Sequence, residues 1–105
     1  MDAIRSVLRE ELQNAKRLQK DYEALLRKLP KGSMIKKRIK GHEYYYLVYR
    51  EGGIVRFDYK GKASPDELAK YKKAKADRAR YRPLLAKVRK EQQYLERILR
   101  ARRPV

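Results

Sequence analysis

The stretch Tyr44-Tyr45-Tyr46-Leu47-Val48-Tyr49-Arg50-Glu51-Gly52-Gly53-Ile54-Val55-Arg56-Phe57-Asp58-Tyr59-Lys60 decides the fold. Aromatic and β-branched residues dominate it, and a glycine pair divides it, as in two strands joined by a tight turn. Glu51-Gly52-Gly53 suits a type I turn with a glycine in the left-handed position, the bulged form of hairpin. That register sets Tyr49 against Val55, Leu47 against Phe57 and Tyr45 against Tyr59, all on one apolar face. Tyr45, Tyr49 and Tyr59 are then core residues. The opposite face carries Tyr44, Tyr46, Val48, Arg50, Ile54, Arg56, Asp58 and Lys60.

Upstream, Met34 to Lys40 reads as a third strand, so residues 33–62 form an antiparallel meander. Its first turn, Lys40-Gly41-His42-Glu43, has two readings. A three-residue loop places Ile35 and Ile39 on the apolar face with Tyr45 and Leu47. A two-residue turn with Gly41 at its first central position reverses this. The first is preferred, because it sends Lys36, Arg38 and Lys40 to the polar face.

Outside the meander the period changes from 2 to about 3.6. Residues 2–28 read as a helix with apolar positions at Ile4, Leu8, Leu12, Ala15, Leu18, Tyr22 and Leu25, continued by Leu29. Pro30 and Gly32 end it. Residues 65–102 read as a second helix, opened by Ser64-Pro65-Asp66-Glu67, where Ser64 caps and Pro65 takes the first helical position. Its stripe is Leu68, Tyr71, Ala74, Tyr81, Leu85, Val88, Leu95 and Leu99, interrupted by Arg78 and Gln92. Pro83 removes a backbone donor and predicts a kink or division near residues 80–82. Pro104 closes the ordered part.

These elements predict an α+β fold in one domain, 1–105: a long helix, a three-stranded antiparallel meander and a long Pro-kinked helix. The helices form an antiparallel coiled-coil hairpin. Tyr22 to Leu29 and Leu68 to Tyr71 are the expected cover for the sheet. Stripes of this length also suit homodimerisation.

Composition narrows the function. The 105 residues include 30 Lys plus Arg against 13 Asp plus Glu, a formal net charge of +17. Residues 1–30 hold 7 basic and 5 acidic residues, residues 31–63 hold 9 and 3, and residues 64–105 hold 14 and 5. The excess therefore lies after Pro30, which favours a directed basic surface and a negatively charged partner. With no Cys and a single His, the chain offers no thiolate chemistry and no His-based metal site, and no cofactor is expected. No apolar run approaches a membrane span and no signal peptide is visible, so a cytoplasmic protein is expected. No nucleophile, base and orienting group are spaced for catalysis, and Glu10-Glu11 and Asp66-Glu67 are adjacent helix positions that point apart. The chain is read as a non-enzyme with no small-molecule substrate.

The strongest constellation is the polar face of the meander. Lys36, Arg38, Lys40, Tyr44, Tyr46, Arg50, Arg56 and Lys60 interleave cations with rings that can stack on bases. On the second helix Lys72, Lys73, Arg78 and Arg80 lie in a run broken only by Asp77, and Arg97, Arg100 and Arg103 form a later stripe. The bland alternatives are tyrosines buried under a helix and a solvated basic helix face.

The segment Gly41 to Gly53, with Arg56, Tyr59 and Gly61-Lys62, resembles a family of small uncharacterised prokaryotic proteins with a coiled-coil helix, a tyrosine-rich hairpin and a second helix. Leu29-Pro30, Gly32-Ser33 and Tyr81 to Leu85 fit the same pattern. The hairpin is similar, more weakly, to those of transposases and phage-integrase arm-binding domains. Many members of the family it resembles carry a cysteine cluster just before the hairpin; this chain has none, so a metal role is not transferred. The resemblance implies a mobile-element or host-defence setting. Together these readings predict a nucleic-acid-binding accessory or regulatory factor, for DNA ahead of RNA. The alternative is a coiled-coil adaptor or antitoxin-like inhibitor that docks an acidic protein.

Overall fold

The computed structural model describes residues 3–101. Asp2 and Arg102 at the expected helix ends, and Arg103 and Pro104, lie outside the described residues. The elements follow the order α1 (Ala3–Lys28), β1 (Ser33–Ile39), β2 (His42–Glu51), β3 (Ile54–Gly61) and α2 (Pro65–Arg100). The fold is α+β, with one antiparallel sheet of order β1-β2-β3. Contacts divide the chain into two compact units, residues 29–78 and the flanking segments 3–28 with 79–101.

The flanking unit is an antiparallel helical hairpin. Tyr22 meets Tyr81, with ring centroids 5.9 Å apart, Glu23 meets Arg89 at 3.1 Å, and Arg5 reaches the Leu99 carbonyl. Its core is Ala15, Leu85 and Val88, with Tyr22 and Leu26 packed against it. Burying side chains such as Leu85 and Val88 stabilises by about 1.5 to 3 kcal/mol each. The seam runs through Leu8, Leu12, Ala15, Gln19, Tyr22 and Leu26, whereas Leu18 and Leu25, assigned to the stripe from spacing, are exposed. Gln19 accounts for the difference, because Gln92 opposite donates to its side chain. Gln92 also donates to the Ala15 carbonyl at 3.4 Å. An interruption of the apolar stripe is thus a polar pair across the seam, which favours one register of the two helices.

Pro83 does not divide α2, which is one uninterrupted element. Proline leaves the carbonyl four residues earlier without its donor. Ala79 and Pro83 are both exposed, so water can satisfy that carbonyl. The start of α2 matches the expectation: Ser64 Oγ accepts from the Glu67 amide at 3.1 Å, and Asp66 and Glu67 sit at the positive end of the helix.

Within residues 29–78 the sheet departs from the expected register at both turns. Lys40 and Gly41 have φ of 51° and 81°, and Gly52 and Gly53 have 59° and 80°. Both connections are two-residue turns with two left-handed central residues. Their twist matches that of the strands, whereas a type I turn without a bulge would splay them. Tyr49 therefore lies opposite Arg56, Leu47 opposite Asp58, Val48 opposite Phe57 and Tyr46 opposite Tyr59. On β1, Ile35 lies opposite Tyr46, and Lys36 opposite Tyr45. The shift of one residue moves Phe57, Tyr59, Ile35 and Ile39 to the other face. Tyr59, expected in the core, is 59% exposed, and Phe57 is 61% exposed. A bulge at Lys60, between Tyr59 and Gly61, ends the regular pairing.

The start of α2 packs beside β1. Ser33 and Met34 share a hollow of about 200 Å³ with Leu68, Tyr71, Lys72 and Lys75, and Ala74 is buried. Arg78, the other interruption of the helix stripe, donates to the carbonyls of Pro30 at 2.9 Å and Gly32 at 3.0 Å. Gly32, at φ 93°, is required there: a Cβ would lie 2.6 Å from the Val48 carbonyl oxygen.

Candidate nucleic-acid interface

The observed register gives the sheet two unlike faces. One carries Met34, Lys36, Arg38, Glu43, Tyr45, Leu47, Tyr49, Arg56 and Asp58; Met34 on this face borders the hollow with α2. The other carries Ile35, Lys37, Tyr44, Tyr46, Val48, Arg50, Val55, Phe57 and Tyr59.

The expected basic and aromatic set is thereby separated. Tyr44, Tyr46 and Arg50 stay together, because alternation along β2 does not depend on the turn. Lys36, Arg38 and Arg56 move to the opposite face. Lys36 and Arg38 there flank Glu43, at 3.4 Å and 3.7 Å, which offsets part of their charge. These pairs are solvent-exposed and contribute little to stability. Lys40 sits in the turn itself and Lys60 in the bulge, so neither belongs to a regular face.

On the second face the rings form a connected group. Tyr46 and Tyr59 meet edge to face at 5.3 Å, Tyr44 lies 6.1 Å from Tyr59, and His42 lies 6.3 Å from Tyr44. The Lys37 ammonium stands 5.4 Å from the centre of the Tyr46 ring. Such a contact contributes about 0.5 to 1 kcal/mol at an exposed site. Tyr44 and Tyr46 are half-buried, while Phe57, Tyr59 and Val55 are open to solvent. Lys37, Phe57 and Tyr59 were absent from the set chosen by sequence. The signal that points to Phe57 and Tyr59 is Gly52-Gly53, a pair suited to a two-residue hairpin turn, while Lys37 follows from a two-residue turn at Lys40-Gly41.

Tyr49, on the first face, shows the other fate of a tyrosine. Partial burial, then the nearby Asp58 carboxylate and its hydrogen bond with the phenol, raise the Tyr49 pKa above its ordinary value, with Glu51 adding and Arg56 opposing.

The α2 cations divide by role. Lys73 pairs with Asp77 at 3.6 Å. The Arg78 guanidinium is occupied by the Pro30 and Gly32 carbonyls and holds the start of β1 to the helix. Lys72 and Lys75 border the hollow with exposed side chains. Arg80 lies in the flanking unit, 5.4 Å from the Tyr81 ring. Among the described residues, no helix is long and apolar enough to cross a membrane.

Residues 6–70 match the family model described as a domain of unknown function, DUF6788. The match covers more than half of the chain, including the whole sheet, and the chain belongs to that family. No curated protein and no solved structure matches it.

Proposed function

We propose that this member of the DUF6788 family is a non-enzymatic protein that binds single-stranded nucleic acid on the aromatic face of its sheet. The observation that carries the reading is the exposure of Phe57 and Tyr59 beside Tyr46, with Lys37 and Arg50 on the same face. Tyr59 gains from its contacts with Tyr44 and Tyr46, but the surface that it and Phe57 leave in water adds nothing to folding, and exposed apolar surface of this kind marks contact sites. Unpaired bases stack on such rings for about 1 to 3 kcal/mol per base. Lys37 and Arg50 supply phosphate contacts, and the net charge of +17 draws the polyanion in. Duplex is disfavoured on this face, because its bases are already stacked.

Titration of single-stranded DNA, single-stranded RNA and duplex DNA at several salt concentrations tests the reading. Both single strands should bind more tightly than the duplex, with steep salt dependence. Tyr59→Ala should weaken single-strand binding about 5- to 150-fold, the range set by one stacked base, and leave the salt slope unchanged. Lys37→Ala should lower the slope by about 0.7. Loss of all binding near physiological salt, or unaltered binding by Tyr59→Ala, would overturn the proposal.

A further inference from the structure

We propose that a second copy of this chain docks on β3, edge to edge and antiparallel, with Phe57 opposite its own counterpart. This inference does not depend on nucleic-acid binding.

The two edges of the sheet are β1 and β3. β1 carries Lys36, Lys37 and Arg38, and Lys40 follows it, which is how natural edges repel further strands. β3 is less guarded: it has no run of cations, and its bulge at Lys60 lies only at its far end. All its residues from Ile54 to Lys60 are exposed, and Ile54, Val55, Phe57 and Tyr59 are between 45% and 61% exposed. Its charges are mixed in sign: Arg56 and Asp58, then Lys60.

The backbone selects the register. In the two-residue hairpin, Glu51 and Ile54 flank the turn as a hydrogen-bonded pair, and pairs then alternate along the ladder. Ile54, Arg56 and Asp58 thus turn their backbone groups toward β2, while Val55, Phe57 and Tyr59 turn theirs to the open edge. An antiparallel copy centred on Phe57 sets Phe57 against Phe57 and Val55 against Tyr59. These are the residues whose amides and carbonyls face outward, so all can pair.

The side chains agree with that register. Arg56 lies opposite Asp58 of the second copy, and Asp58 opposite its Arg56. Neither residue makes an ion pair within the chain among the described residues, although the Asp58 carboxylate lies beside the Tyr49 phenol. The contact is self-complementary and closes as a two-fold dimer, whereas β3 on β1 would be a head-to-tail contact that propagates. Phe57, Val55 and Tyr59 of both copies would share one face.

Sedimentation of the full chain without nucleic acid tests the charge pairs. The wild type should dimerise at micromolar concentrations. Arg56→Asp and Asp58→Arg should each remain monomeric, since both set like charges opposite. Their equimolar mixture should restore a one-to-one dimer, because each copy then supplies the other's counter-charge; circular dichroism confirms that the variants fold.

Cysteine scanning tests the register in a chain that has no native cysteine. In a hydrogen-bonded pair the Cα atoms are about 5.5 Å apart, within disulfide range. Phe57→Cys should cross-link to a covalent dimer on mild oxidation. Two Val55→Cys positions would be four residues apart along the strand, about 13 Å, and should not. A monomeric wild type, failure of the mixture to restore the dimer, or equal cross-linking of the two cysteine variants would overturn the proposal.

Discussion

The helical unit and the sheet unit place their apolar residues in opposite ways. In the helical hairpin, Ala15, Leu85 and Val88 are buried, and the polar Gln19–Gln92 pair is satisfied across the seam. In residues 29–78, Ala74 is the one fully buried hydrophobic residue among those described, while Phe57 and Tyr59 face water. The first unit is held by packing. The second is held by ladder hydrogen bonds, by two left-handed turns and by Arg78 on the Pro30 and Gly32 carbonyls. A unit built this way leaves ring-bearing strand residues open to solvent, and depends more on backbone conformation than on side-chain volume.

The sharpest way to break the comparison is a cavity in the helical unit. Leu85→Ala should cost about 2 to 5 kcal/mol, read by urea denaturation. Amide exchange should accelerate first in α1 and the second half of α2. Equal acceleration in the β2 amides would show that the sheet shares that core.

A backbone substitution probes the sheet unit. Gly32→Ala combines φ of 93° with a Cβ 2.6 Å from a carbonyl oxygen, and should cost about 3 kcal/mol. Gly41→Ala has a similar φ of 81° but open space around its Cβ, so about 1 to 2 kcal/mol is expected. Thermal melts of the pair separate close approach from dihedral strain. Equal losses would mean that the Val48 contact is unimportant.

The smallest effect is a gain. Lys40 is the one described residue other than glycine with positive φ, at 51°. Lys40→Asn keeps the turn and relieves its strain, and should stabilise by about 1 kcal/mol. A lower melting temperature would show that Lys40 makes a contact worth more than the strain.

Much of the fold was readable from the chain alone. Period-2 and period-3.6 stretches separate sheet from helix, and Ser64-Pro65-Asp66-Glu67 marks the second helix because capping is a local event. The candidate site was half readable. Tyr44, Tyr46 and Arg50 share a face by alternation within one strand, so no turn can separate them. Their companions depend on the turns, and reading each as one residue longer exchanged Lys37 for Lys36 and Arg38, and lost Phe57 and Tyr59.

The sequence by itself determined the order of elements, the cap, the basic excess after Pro30 and the grouping along each strand, because all follow from neighbours along the chain. Only the tertiary structure decided which residues of neighbouring strands share a face, and that Ser33 and Met34 at the start of β1 border α2. Both faces mix aromatic, aliphatic and charged residues, so alternation cannot rank them. The stripe interruptions were also decided there. Arg78 and Gln92 look like breaks in an apolar pattern until the carbonyls of Pro30 and Gly32, and the amide of Gln19, are brought against them.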